Sequence, residues 1–196
     1  MASLIENANT VAEILNNFKK YCSTGEHLII PEGVTDISDG VFVQGDTSGY
    51  SHHRTSVQFP STLKTVGYQA FGYNHYIIEI NIPHGCERLY ARAFYGCWNL
   101  EKISLPNTLI SVYGDAFSPT DKLTELIVEP EFDCSPGRNI DFSQASFTAE
   151  VMVNLFNNLK DRSSQSAGGW QLGNTNLAKL TDAQKAVAID KNWNLF

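Results

Sequence analysis

Residues 100–117 read LEKISLPNTLISVYGDAF, and the same template stands twice more upstream. Its prolines, Pro60, Pro83 and Pro106, recur at one constant interval, and Phe71, Phe94 and Phe117 each follow eleven residues later. Ala70, Ala93 and Ala116 stand directly before those phenylalanines. Apolar residues recur three and one places before each proline (Val57/Phe59, Ile80/Ile82, Ile103/Leu105) and three and six places after it (Leu63/Val66, Cys86/Leu89, Leu109/Val112). A fixed apolar template at a period of roughly 20 to 30 residues means a solenoid, because one repeat cannot bury its apolar face alone and must stack on the next.

Working outward, a divergent repeat comes first. Leu28 and Ile30 precede Pro31, Val34, Ile37 and Phe42 take the template slots, and Val41 stands in the alanine position. The step from Pro31 to Pro60 is longer than the later steps by six, and the extra residues swell the stretch from Val43 to Arg54, which is rich in Gly, Ser, Tyr and His. Insertions in a solenoid go to loops on one face, often the binding face. Tyr50, His52, His53 and Arg54 are therefore candidate contact residues. Further upstream, Val11, Ile14, Leu15, Phe18 and Cys22 make one apolar helical stripe, opened by a Thr10-x-x-Glu13 capping box.

Downstream, a strand over 126–128 closes the regular block, and 130–138 is a turn or loop. The last third changes period. Residues 139–142 read as a strand, Thr148 caps a helix carrying Val151, Met152, Leu155, Phe156 and Leu159, and Gly168-Gly169 turns into a strand over 170–172. Thr181 and Gln184 open a second helix, Asn192 stops it in the left-handed conformation, and Trp193 and Leu195 form a last strand. The sequence ILNNFK at 14–19 resembles LFNNLK at 155–160, so the N-terminal helix reads as the same kind of end unit. Helix-bearing ends cover strand edges that would otherwise invite aggregation.

The template Leu-x-x-Ile-x-Leu-Pro-x-x-Leu-x-x-Val-x-x-x-Ala-Phe, with Ala93-Phe94-Tyr95-Gly96-Cys97, resembles the BspA-like (bacterial surface antigen) type of leucine-rich repeat. The segment 172–195 is similar to the C-terminal units that accompany such repeats. The resemblance implies an α/β fold: a right-handed leucine-rich-repeat solenoid with a parallel concave β-sheet and helix-containing N- and C-terminal capping units. It divides as 1–26 cap, 27–129 repeats and 130–196 strand–helix units, one continuous solenoid. It further implies a module for adhesion or protein binding at a bacterial surface, with no defining enzymatic activity. After the Ala-Phe pair, Gly-Cys is intact only at Gly96-Cys97.

The formal charge of −7 argues against a nucleic-acid partner, since phosphate contacts need clustered Lys and Arg. Cys22, Cys86, Cys97 and Cys134 lack metal-ligand spacing, and Cys86 takes a slot that Leu63 and Leu109 fill, so the cysteines read as reduced and buried. Residues 1–10 have neither a basic start nor an apolar run, and the chain reads as lacking a signal peptide and a membrane span, although the resemblance implies a secreted or surface location.

Strand alternation turns the template into a surface. With minus three and minus one inward, minus four and minus two line the open sheet: His27/Ile29, Ser56/Gln58, Glu79/Asn81, Lys102/Ser104 and Glu125/Ile127. By strand analogy the row continues through Asn139/Asp141, Gly169/Gln171 and Asn192/Asn194. Short polar side chains suit broad protein or glycan contact. The phenylalanine column reads as a stacked core spine and not as a ligand groove.

No catalytic or cofactor constellation emerges. His27, His75 and His84 occupy different slots, there is no Gly-x-Ser-x-Gly, and His52-His53 alone is an incomplete metal site. Glu79 and Glu125 lie two coils apart, about 9–10 Å at normal strand spacing, but on a flat sheet without the concave pocket that hydrolases use. The expectation is a non-enzymatic, cofactor-free module binding protein or glycan, with a structural assembly component, phage-associated or homo-oligomeric, as the alternative.

Overall fold

The computed structural model describes residues 27–43, 53–134 and 140–196. The expected helix over 11–22, Tyr50, His52 and Asn139 lie outside the described residues. The repeat block runs β1 His27–Ile29, β2 Asp36–Ile37, β3 Ser56–Gln58, β4 Thr65–Val66, β5 Glu79–Asn81, β6 Arg88–Leu89, β7 Lys102–Leu105, β8 Ser111–Val112 and β9 Glu125–Val128. After it come β10 Ile140–Asp141, α1 Ala149–Asn158, β11 Gly168–Gln171, α2 Asn174–Leu177, α3 Asp182–Ile189 and β12 Trp193–Leu195.

Each coil supplies two strands, one before its proline and one after. The first set forms a five-stranded parallel sheet, β1-β3-β5-β7-β9, here called the front; the second forms a four-stranded parallel sheet, β2-β4-β6-β8. The period of the sequence is the register of the sheets: Glu79 pairs with Lys102, Ile80 with Ile103, Arg88 with Ser111. His27 pairs with Ser56 across the longer first coil, so the six extra residues leave register intact.

The template apolar residues fill the space between. Ile80, Ile103, Leu63, Val66, Cys86, Leu89 and Leu109 are all wholly buried. A third line of backbone bonds holds the Ala-Phe segments, with Phe42, Phe71 and Phe94 N–H donating to the Ala70, Ala93 and Ala116 carbonyls at 2.7–2.8 Å. That ladder fixes the ring spacing. Phe42–Phe71, Phe71–Phe94 and Phe94–Phe117 stack at 5.0, 5.3 and 5.3 Å between centroids. The column then continues through Phe142, Trp170 and Trp193 at 5.8, 6.0 and 6.4 Å. It is the predicted spine, extended by three rings.

One buried slot carries polarity. Asn74, Cys97 and Thr120 occupy the same place in three successive coils, and all are buried. The Asn74 amide donates to the carbonyls of Phe42 and Phe71 at 2.7 and 2.8 Å, tying two coils together. Cys97 Sγ makes the weaker version of that bond, 3.5 Å to Phe71 O. Gly96, at φ +74°, precedes it because a Cβ there would meet the Tyr73 ring at 2.9 Å. Cys86, Cys97 and Cys134 are buried, the first two in the slots that the repeat assigns them. Burial pushes the Cys86 thiol up to about 11 and the Cys97 thiol to about 12.

The C-terminal third corrects one expectation. The strands β10, β11 and β12 do not lengthen the front row but form their own three-stranded parallel sheet. Asp141 N–H docks on Gly114 O just past β8, so this sheet follows the second strand position of each coil. The first position is taken by helix: Ser146 N–H donates to Leu123 O, and Asn158 Nδ2 donates to Val128 O beside β9 at 2.9 Å. Asp141, Gly169, Gln171, Asn192 and Asn194 are therefore not front-face residues. The error lay in matching strands by order when every coil has two strand positions. Gly168 lies inside β11, where a Cβ would collide with the Trp193 ring. Thr148 caps α1 and the Thr181/Gln184 capping box opens α3, as read, and Asn192 stops the chain at φ +63°.

Two measurements follow. Phe94→Ala removes a fully buried ring with neighbours on both faces, and is expected to cost about 3–5 kcal/mol in urea unfolding. Iodoacetamide at pH 8 followed by peptide mass mapping is expected to leave Cys86 and Cys97 unlabelled in the native protein and to label both in urea.

Candidate binding face

Two columns of outward side chains cross the front sheet. The first is His27, Ser56, Glu79, Lys102 and Glu125, each paired in register with the next. The second contains Ile29 and Gln58 at one end and Asn81, Ser104 and Ile127 at the other. The structure thus brings all ten front residues expected in the repeat block onto one sheet surface.

Its electrostatics centre on Lys102. The ammonium lies 3.5 Å from Glu79 and 3.7 Å from Glu125, one carboxylate on each neighbouring strand. Asn81 Nδ2 donates to the Glu79 carboxylate at 3.0 Å. Glu79 and Glu125 therefore share a cation that sits between them, where a hydrolytic carboxylate pair would need a water or a glycosidic oxygen. At one end His27 Nδ1 and Ser56 Oγ are 2.6 Å apart. The in-register order is His, Ser, Glu, which puts the hydroxyl in the middle; a triad needs the imidazole there. Ile29 and Ile127, 61% and 48% exposed, supply apolar contact area at opposite edges of the face.

The loop residues divide. His53 is at the surface, its ring 4.2 Å from that of Tyr76. Arg54, expected among the contacts, is only 6% exposed, with its guanidinium 5.6 Å from the Phe42 centroid. It covers the first ring of the column as a cation–π partner and is a core residue. A charge next to a polar loop gave no sign of that in the sequence.

Sequence reasoning also passed over an aromatic edge beside the front sheet. His75 and Trp98 stack at 4.1 Å and 20°, and Tyr76 meets His53. Both pairs are separated by one repeat interval, so the same period that reveals the core marks them. Among the described residues no group of three or more His, Cys, Asp or Glu is placed to hold a metal, and no helix is long and apolar enough to cross a membrane.

The model of the BspA type leucine rich repeat region matches residues 13–137 in six copies. The chain belongs to this family. No curated protein matches it. Among solved structures, a leucine rich cell surface protein from Faecalibacterium prausnitzii A2-165 is similar, with 21% identity and a TM-score of 0.44 over 53% of this chain. The match spans 32% of that chain, about a third of its length. The BspA-type assignment covers the repeat block and describes a repeat, not a reaction.

Because Lys102 and its two carboxylates are all part-exposed, the ion pairs hold the side chains in place more than they stabilise the fold. Lys102→Ala is expected to change unfolding free energy by less than about 1 kcal/mol. Thermal and urea denaturation check this.

Proposed function

We propose that this BspA-type solenoid is a non-enzymatic binding module for a macromolecule, protein or glycan, acting in adhesion or recognition at a bacterial surface. The contact surface in this reading is the front row Ser56, Gln58, Glu79, Asn81, Lys102, Ser104, Glu125 and Ile127, together with residues 44–53, Arg54 being buried. The observation that carries it is the front sheet itself. Five strands held in register present two ordered columns of polar side chains, flanked by exposed Ile29 and Ile127, on a support that cannot rearrange without breaking a buried ring stack. Such a surface keeps its shape before a partner arrives, so little ordering cost falls on association.

The same reading takes the solenoid as right-handed, the usual hand of parallel crossovers, with the front sheet concave. Residues 1–26, 27–129 and 130–196 then serve as cap, repeats and closing unit of one domain. The placement of α1 alongside β9 supports a capping role for the C-terminal helices, since it covers a strand edge.

An assembly role is the second reading. β12 is hydrogen-bonded to a strand on one side only among the described residues, and Ile189 and Phe196 near it are exposed. End-to-end association would bury them, and a monomeric mass by light scattering at high concentration would remove this reading.

Pull-down from host-cell surface extract and glycan-array binding test the first reading. Wild type is compared with Glu79→Lys/Lys102→Glu and with a variant shortened between Gly45 and Ser51. Loss of pull-down signal in the charge-swapped variant, with its urea midpoint kept, is the expected result. Equal signal from all three would remove both front face and loop from the reading.

A further inference from the structure

The geometry points to a second site, separate from the front sheet: a stacking platform for a neutral sugar ring at Trp98. The chain has three tryptophans. Trp170 and Trp193 are buried in the aromatic column, whereas Trp98 is 51% exposed, and nothing in the fold requires an indole at that position. The equivalent positions in the coils on either side, one repeat before and one after, are His75 and Asp121.

The exposed ring is held in place. His75 stacks on one face at 4.1 Å, and its Nδ1 is 2.9 Å from Gly96 O; with that nitrogen protonated, the bond fixes the imidazole plane. On the other side the column continues only with Asp121, a short exposed side chain in place of a ring. A ring backed by another ring and facing a short polar neighbour has one face left for a ligand. Such a face carries the negative pole of the ring quadrupole, which attracts the weakly positive axial C–H groups of a pyranose.

Hydrogen-bonding groups stand beside it in both senses. Asn99 is locked by its amide, Nδ2 donating to His75 O and Oδ1 accepting from Lys122 Nζ, both at 2.6 Å. Lys122 keeps two further N–H donors, Asp121 offers carboxylate acceptors and the indole N–H a donor, the set that vicinal hydroxyls require. Tyr76, 42% exposed and in ring contact with His53, extends the aromatic edge one column over. The charge of the chain decides between stacking ligands. At −7 overall, with a carboxylate next to the ring, the edge disfavours nucleobases on a phosphate backbone and acidic or sulfated sugars. Exposed aromatics also suit a protein partner, and Trp98-dependent capture of a protein is therefore one outcome of the test.

The test is a glycan array carrying neutral gluco-, manno- and N-acetylglucosamine oligosaccharides alongside sulfated and uronic ones, probed with wild type, Trp98→Ala, Trp98→Phe and Lys102→Glu. Positive sugars are then titrated by calorimetry for every variant, and for wild type and Lys102→Glu also by intrinsic fluorescence, in which Trp98 is the exposed reporter. Binding of a neutral oligosaccharide with a fluorescence change is expected. Affinity should fall at least about tenfold in Trp98→Ala, a loss of roughly 1.4 kcal/mol, remain in part in Trp98→Phe, and be unchanged in Lys102→Glu. The last arm separates this site from the front face. Urea midpoints within error of wild type show that the ring variants fold. Undiminished affinity in Trp98→Ala, no neutral sugar bound by wild type, or Trp98-dependent capture of a protein without any sugar would each overturn the proposal.

Discussion

The stack of aromatic rings running from Phe42 to Trp193 is the constraint on which the molecule depends. Seven rings sit 5.0–6.4 Å apart, each contributed by a different coil or end unit. Their separation is set by backbone bonds from each of Phe42, Phe71 and Phe94 to the alanine carbonyl of the next coil. Alanine stands there fully buried in the three regular coils, whereas Val41, its counterpart in the first coil, is only partly buried. Stability in such a stack is close to a sum of neighbour contacts, so each coil is held by the two it touches. A single ring lost from the middle opens two interfaces.

The repeat template made most of this visible from sequence alone. Proline marks the end of a front strand, so counting back by one and three gives the buried residues and by two and four the surface ones, and the burial of Val57, Ile80 and Ile103 agrees. What stayed hidden is what periodicity does not encode. The short strands at 140–141, 168–171 and 193–195 carry no proline mark, and nothing in them says which of two strand positions in a coil they fill. The four-residue helix α2 was missed because a single turn has no periodicity to detect. Arg54 misled for a different reason: a guanidinium caps a ring face as well as it meets solvent, and only the fold decides.

The polar surface and the core answer to different rules within the same period. Inward slots accept few residue types, and even their exceptions obey a shared logic: asparagine and cysteine alternate at positions 74 and 97, both able to bond a carbonyl of the Phe ladder. Outward slots in the same strands change from histidine to serine to glutamate to lysine without disturbing register. The Arg162–Asp133 pair and the Lys191 ammonium, which bonds the last carbonyls of α1 at 2.8–3.1 Å, fasten the helical units to this frame. Recognition chemistry can therefore differ between related chains while the geometry of the frame stays the same.

The longer first coil shows where length, as opposed to side-chain identity, is free to vary. His27 still meets Ser56 and Phe42 still stacks on Phe71, although each pair is separated by six more residues than its counterparts in the later coils. Alignment between neighbours is enforced by hydrogen bonds and ring contacts on either side of the insertion, so register survives the added length. A protein engineer grafting a foreign peptide between Val43 and His53 would start from a coil that already keeps its neighbours aligned across a longer span.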